Sequence, residues 1–231
     1  MSTMRRVTVT SIVNPGVEPT NLADMKQHLR VTHDMDDAFI QTLMTMARTM
    51  IEEFCSIAIP LQTQTMTIDQ FPEGGIPWWE GEREGALVSF QLRELEILRP
   101  PLVSIQSITT YSLSNVPSAY DLTLGFTSNA DPRMPGRFCL NIGSIWPVDL
   151  RRSDAVVIAS TNGWDLVNNT TPAIPADLVL AHRMLVATLY TNRGDGTTTI
   201  ENSNAMGYLL PFVQVQTGTN RRGGRRRDRM W

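Results

Sequence analysis

The sequence predicts an α+β fold, in which a discontinuous helical bundle core carries an inserted antiparallel β-sandwich or barrel-like domain and continues into an extended C-terminal arm. Three observations predict it. Apolar residues recur at helical spacing between about residues 20 and 57, alternate in strand fashion from residue 61, and return to helical spacing after Pro172 and Pro175. Each of the three helical stretches has an apolar face too wide to leave in water, and neither end of the chain can bury its own alone. The strand-like runs between them are short and separated by Pro, Gly, Asn and Asp at turn positions. The expected organisation is an N-terminal extension over 1–19, a helical core from 20–60 plus 172–205, a β insertion over 61–171 and an arm over 206–231.

The first helix is expected over 20–30. Thr20 or Asn21 can cap it, Asp24 lies near the positive end of its dipole, and Leu22, Met25 and Leu29 share one face. A polar, Asp-rich break over 31–37 leads to a longer helix over 36–57. There Phe39, Leu43, Ala47, Met50 and Phe54 recur at spacings of three and four, and Ile40, Met44, Ile51 and Ala58 widen the stripe. Pro60 cannot continue a helix and sets the stop. The late helix follows Pro175, which suits a first turn, with Asp177 complementing the dipole. Leu178, Leu185 and Leu189 form its apolar line, flanked by Val179, Val186 and Tyr190, and Asn192-Arg193-Gly194 ends it.

In the first strand, over 61–69, Thr63, Thr65 and Thr67 alternate with Gln64, Met66 and Ile68. Further strands are expected at 86–92, 94–98, 103–111, 137–142 and 155–161. Pro100-Pro101, Asp131-Pro132, Pro135-Gly136 and Asn162-Gly163 mark turns between them. A Gly- and Pro-rich loop over 71–85 surrounds Trp78 and Trp79. Trp is enriched at interfaces, so these two are a candidate interface loop, with simple coverage of the end of the β domain as the alternative.

Charge divides the chain. The formal net charge is −3, but residues 221–231 hold six Arg and one Asp, which leaves −8 for everything before them. Such asymmetry concerns partners rather than folding. The segment 208–213 is an isolated apolar patch, and no apolar periodicity follows it. The candidate docking arm therefore comprises Tyr208, Leu209, Leu210 and Phe212 with Arg221, Arg222, Arg225, Arg226, Arg227, Arg229 and Trp231. Its tip is a solvated tail, a docking segment for an acidic groove, or a contact to nucleic acid phosphates. Terminal Met230-Trp231 favours protein docking, because an aromatic can anchor what the arginines have steered. At ~3.3 Å per residue, residues 206–231 reach at most ~85 Å.

Composition, 42% hydrophobic, is that of an ordinary globular protein long enough to bury a real core without disulfide or metal. Cys55 lies among apolar helix positions and Cys139 in a strand, so both read as buried free thiols. No apolar run approaches the ~20 residues of a membrane-spanning helix, and the start of the chain lacks a secretory signal. His28, His33 and His182 accompany no metal-ligand spacing, and no nucleophile elbow, phosphate-binding loop or dinucleotide fingerprint is present. Carboxylate pairs such as Glu52-Glu53 read as solvated faces, because adjacent helical residues point in different directions. His182 reads as a hydrogen-bonded core or interface histidine. Met44, Met46 and Met50 read as core filling or as an adaptable surface. The expectation is a non-enzymatic protein with no metal and no cofactor.

Several stretches then carry a resemblance. Asn21-Leu22-Ala23-Asp24-Met25-Lys26-Gln27-His28-Leu29-Arg30-Val31, followed by an Asp-rich break and a helix closing Ile51-Glu52-Glu53-Phe54-Cys55, resembles the opening of the phage head–tail connector family. So do Leu61-Gln62-Thr63-Gln64-Thr65, the run Ile97-Leu98-Arg99-Pro100-Pro101-Leu102-Val103-Ser104-Ile105, and Trp146-Pro147. Gly163-Trp164, Ile174-Pro175-Ala176-Asp177 and Leu189-Tyr190-Thr191-Asn192-Arg193 complete an ordered set across about residues 20–213. Gly194 departs from the family's glutamate at that helix end, and the Arg run is not a family motif. The resemblance implies an adaptor of long-tailed double-stranded-DNA phages and gene transfer agents, assembled in the host cytoplasm and resident in the virion neck. It implies a ring, usually of twelve copies, beneath the portal protein, with a tail-side stopper or tail-completion protein below. Double-stranded DNA passes through such a ring without sequence-specific binding, no membrane is involved, and the C-terminal arm reaches the portal. Two rival readings remain from the residues themselves: a nucleic-acid-binding protein gripping DNA through the Arg tip, and a glycan-binding or hydrolytic β module using Trp78 and Trp79. The connector reading expects salt-sensitive portal binding that is lost when residues 207–231 are removed.

Overall fold

The structure, a computed structural model, describes residues 7–13, 17–71, 94–167, 173–193, 200 and 203–214. It is mixed α and β with antiparallel sheets, as the sequence predicts.

Helix α1, Leu22–Leu29, starts where the Asn21 side chain accepts from the Asp24 N–H at 2.8 Å, and Arg30 closes it in the left-handed region at φ 57°. Helix α2, Asp37–Cys55, ends on left-handed Ser56, and α3, Ala176–Thr191, begins after Pro175. Met25 of α1, Ile40, Met44, Ala47 and Ile51 of α2, and Leu178, Leu185 and Val186 of α3 are buried in one cluster. Helices from the two ends of the chain thus share a core. Helices α2 and α3 run antiparallel, since mid-α3 His182 meets the Met44 carbonyl at 3.0 Å and late-α3 Tyr190 meets Asp36 at 2.6 Å.

Two antiparallel sheets enclose the second core. One has the order β1 (Val7–Val13), β2 (Gln62–Ile68), β8 (Val156–Asn162), β4 (Leu102–Tyr111), β5 (Pro117–Ala119). The other has the order β3 (Glu94–Ile97), β7 (Gly136–Leu140), β6 (Gly125–Ser128). Met66, Ile68, Ile108, Val156 and Ile158 from the first meet Leu95, Ile97, Phe138 and Leu140 from the second. Burial alternates along β2 and β8, and the Thr face of β2 is the more exposed one. The strand expected at 86–92 lies outside the described residues. Strands β1, β5 and β6 were not expected. Pairing of Val7 with Ile68 brings part of the N-terminal extension into the sheet.

The arm begins later than residue 206. Met206–Leu209 forms a short helix, α4, and Leu210–Phe212 a 3-10 turn. Leu209 is 0% exposed and Phe212 1% exposed, both inside the helical core, and the Gln214 N–H donates to the Cys55 carbonyl at 3.0 Å. Leu209 and Phe212 are therefore corrected from docking residues to core residues, because a side chain packed on its own chain cannot also anchor a partner without unfolding its surroundings. Tyr208 and Leu210 remain exposed.

This placement has a direct test in denaturant unfolding. Phe212→Ala is expected to cost about 3–5 kcal/mol, as for deletion of a buried ring, while exposed Leu210→Ala stays within about 0.5 kcal/mol. Equal, small effects of both substitutions would mean that the chain is free from residue 206.

Candidate functional site

Strand directions give the molecule two unlike ends. Strands β2, β4 and β8 have Gln62, Leu102 and Asn162 beside the helices, and Ile68, Tyr111 and Val156 at the far end. At the near end, backbone bonds strap the units together. The Ala58 N–H donates to Pro100 O, the Gly163 N–H to Pro101 O and the Trp164 N–H to Ile59 O, each at 2.9 Å. Gly163 sits at φ +109°, and a Cβ there would fall 2.1 Å from the Pro60 carbonyl oxygen, so the approach requires glycine.

Between the straps lies a buried polar relay. Arg48 donates through Nε to Glu18 at 3.0 Å and through Nη1 to Glu52 Oε2 at 2.8 Å. The other Glu52 oxygen accepts from the Ile59 N–H at 2.8 Å and from Gln62 Nε2 at 3.0 Å. Glu52 and Glu53 do not share a solvated face: Glu52 is buried and only Glu53 is exposed. The relay joins the last turns of α2 to the first residue of β2.

A second cluster closes the other end of the helix pair. Asp36 accepts from Tyr190 Oη and from Arg193 Nη2, each at 2.6 Å, and these two bonds hold its carboxyl below the usual carboxylate range. The Arg193 guanidinium also lies 4.5 Å from the Tyr190 ring centre and 5.0 Å from that of Phe39. Lys26 pairs with Asp34 and Asp37 nearby. Asp34 and Asp36 of the break between α1 and α2, and Asp37 at the start of α2, thus each have a cation beside them.

The far end of the β unit is apolar at its surface. Leu113 and Val116 stand exposed after β4, and Ile142, Ile145 and Val148 stand exposed after β7, at 90%, 78% and 86% for the last three. Beneath them Trp146 stacks on Phe71 with ring centres 4.2 Å apart and packs on Tyr120 and Phe138. None of these exposed residues was singled out from the sequence, where scattered Ile and Val in a loop give no periodic signal. Residues 72–93, with Trp78 and Trp79, lie outside the described residues, and so do the arm residues Arg221, Arg222, Arg225, Arg226, Arg227, Arg229 and Trp231. The described residues that flank 72–93, Phe71 and Glu94, belong to the far end. Gln214, the last described residue, belongs to the near end, where its side chain donates to the Arg133 carbonyl at 2.7 Å.

His182 is fully buried in α3, with Nε2 donating to the Met44 carbonyl and Nδ1 without a partner among the described residues. Burial pushes its pKa down to about 4. Burial also pushes the Cys55 thiol up to about 12, with Sγ against the Leu209 carbonyl, while Cys139 is only half-buried. Met44 is core, Met46 is exposed and Met50 half-buried. Among the described residues no three His, Cys, Asp or Glu come together to hold a metal ion. No helix is long and apolar enough to cross a membrane, again among the described residues. What the geometry offers is two faces and a rigid joint, an arrangement suited to holding other molecules in place.

Comparison with known proteins agrees in kind. Residues 19–76 match the model of a family described as phage gp6-like head-tail connector protein. Three solved structures share the fold over 93% of this chain. They are a chain from the neck of an empty gene transfer agent particle computed with C6 symmetry (TM-score 0.67, 16% identity, 100% of that chain), one from the virion of a native gene transfer agent particle (0.66, 16%, 99%), and one from the neck of a native particle computed with C12 symmetry (0.65, 18%, 100%). No curated protein matches the sequence. The resemblance to head–tail connectors of phages and gene transfer agents thus rests on both the opening residues and the fold.

The buried histidine makes stability depend on pH. The unfolded chain takes up a proton here below pH 6.5, the folded chain only near pH 4. The stability tied to His182 is therefore complete above pH 6.5 and is lost as pH falls toward 4, by on the order of 3 kcal/mol. His182→Gln, which can still donate to Met44, is expected to lose distinctly less stability between pH 7 and pH 4.5 in urea titrations than the natural chain does. Equal losses would show that this histidine is not held neutral.

Proposed function

We propose that this chain, whose residues 19–76 carry the pattern of the phage gp6-like head-tail connector family, is a structural connector subunit of the virion neck. The observation that carries the reading is the coincidence of that match with a fold found in gene transfer agent necks along nearly the whole of both chains. Copies of the chain form a ring, of twelve in the simplest case, beneath the portal protein, and DNA passes through the middle. C6 and C12 symmetry in the similar necks supports a ring of identical copies. A net of −8 before the last eleven residues suits a conduit, because like charge keeps DNA from adhering to its wall. Assembly takes place in the host cytoplasm, and no catalysis, metal or cofactor is required.

The two unlike ends of the subunit support a division of labour among its partners. The helical core with the buried joint supplies the ring. The basic arm leaves after Gln214 and docks on the portal, with Arg side chains steering and Trp231 anchoring. The far end of the β unit, with Ile142, Ile145 and Val148 exposed, receives the tail-side stopper or tail-completion protein, and Trp78 and Trp79 join that contact in this proposal. A second reading, DNA binding through the Arg tip, is favoured by that run of arginines alone.

Co-sedimentation with the cognate portal separates them. The chain stopped after Gln214 keeps Leu209 and Phe212 in the core, so it tests the tip without loosening the fold. Full-length protein is expected to bind at low salt and release at high salt, while the truncated chain binds at least about tenfold more weakly. Equal portal binding by both chains would refute the docking role. Tip-dependent binding to DNA without any portal binding would support the second reading instead.

A further inference from the structure

Where the helical and β units meet, the interior holds a patch of enclosed amides. Burial alternates along β2, so Gln62 and Gln64 turn inward together, 3% and 0% exposed. Across the ladder their partners on β8 are Asn162 and Ser160, both fully buried as well. Glutamine is rarely enclosed to this degree unless its polar atoms are engaged.

The bonding around these amides is nearly complete. Gln62 Nε2 donates to Glu52 Oε1 at 3.0 Å, and Gln64 Nε2 donates to the Leu98 carbonyl at 2.7 Å. Ser160 Oγ donates to Asn162 Oδ1 at 2.7 Å. Asn162 Nδ2 donates to the Arg99 carbonyl at 2.7 Å and to the Leu98 carbonyl at 3.3 Å. Two acceptors are left over: Gln62 Oε1 and Gln64 Oε1 are buried and meet no donor among the described residues. Turning either amide over does not help, because its oxygen would then face the Glu52 carboxylate or the Leu98 carbonyl. A buried acceptor without a donor is destabilising, and native folds seldom leave two side by side.

A small molecule with two hydrogens to give fits this demand. Residues two apart on a strand are about 6.6 Å apart. A water donating two bonds of about 2.8 Å spans about 5 Å between acceptors, a difference that the ends of two amide side chains close. A metal cation fits poorly, because it draws about six oxygens and the neighbouring ones are already committed to donors. Glu52 accepts from Arg48, the Ile59 N–H and Gln62, and the Leu98 carbonyl accepts from Gln64 and Asn162.

We propose that one internal water molecule, enclosed between β2 and residues 98–101, donates one hydrogen to Gln62 Oε1 and the other to Gln64 Oε1. Through Gln62 it stands next to Glu52 in the bonding order, so it is part of the joint between the helical and β units. This site is independent of which partners the chain binds.

The test is a crystal structure of the full chain at a resolution that orders solvent, paired with water–protein nuclear Overhauser spectra of the same protein in solution. A single solvent peak about 2.6–3.0 Å from both amide oxygens is expected. Water is also expected to give cross-peaks to the Gln62 and Gln64 side-chain amide protons, with the sign of a long-lived contact. In Gln64→Met, which leaves the Leu98 carbonyl its bond from Asn162, both the peak and the cross-peaks are expected to vanish. Should that variant fail to fold, the structure and spectra of the natural chain decide alone. Protein donors on the two oxygens, a separate water on each, or a peak ringed by about six oxygens as a cation would be, would each overturn the proposal. So would a peak in the crystal without long-lived cross-peaks in solution, or a water retained unchanged in Gln64→Met.

Discussion

Glu52, in the last turn of α2, carries a carboxylate that water hardly reaches, and both of its oxygens are committed: one to Arg48, the other to the Ile59 N–H and the Gln62 amide. A buried charge of this kind is tolerable only while every partner is in place, and removing one partner of such a pair typically costs about 3–5 kcal/mol. The consequence reaches beyond stability. The chain must turn from helix to strand within six residues, and the carboxylate holds both sides of that turn at once. With the Gly163 approach to Pro60 and the bond from Ala58 to Pro100, it fixes the angle between the helical and β units.

Periodic features were legible in the sequence and tertiary ones were not. Helices α1, α2 and α3 lie within two residues of where their apolar spacing predicts them, and the Asn21 cap is used as expected. Strands β2, β4, β7 and β8 follow from alternation bounded by turn residues. Strands β5 and β6, of three and four residues, are too short for alternation to show. Strand β1 does alternate, Val with Thr, but its pairing with β2 joins residues far apart in sequence, Val7 with Ile68 and Val13 with Gln62, and leaves no local trace. Leu209 and Phe212 look like an unattached apolar patch because the core that receives them is contributed by α2 and α3 far earlier in the chain. The ion pair from Arg193 to Asp36 is hidden for the same reason.

Charge tells the other half. Along the helical unit, charged residues are spent inward or at helix ends: Arg48 and Glu52 in the joint, Asp36 with Tyr190 and Arg193, Lys26 with Asp34 and Asp37. The exposed positions of α2 from Ala38 to Thr49 carry no charge, while the unbalanced positive charge is concentrated beyond residue 220.

Electron microscopy of the full-length protein mixed with its cognate portal, reconstructed without imposed symmetry, tests the central claim most directly. A closed ring of identical copies against one face of the portal is expected, with the β units projecting away from it. Portals that remain bare at saturating protein, or that carry isolated copies with no contact between neighbours, would contradict it.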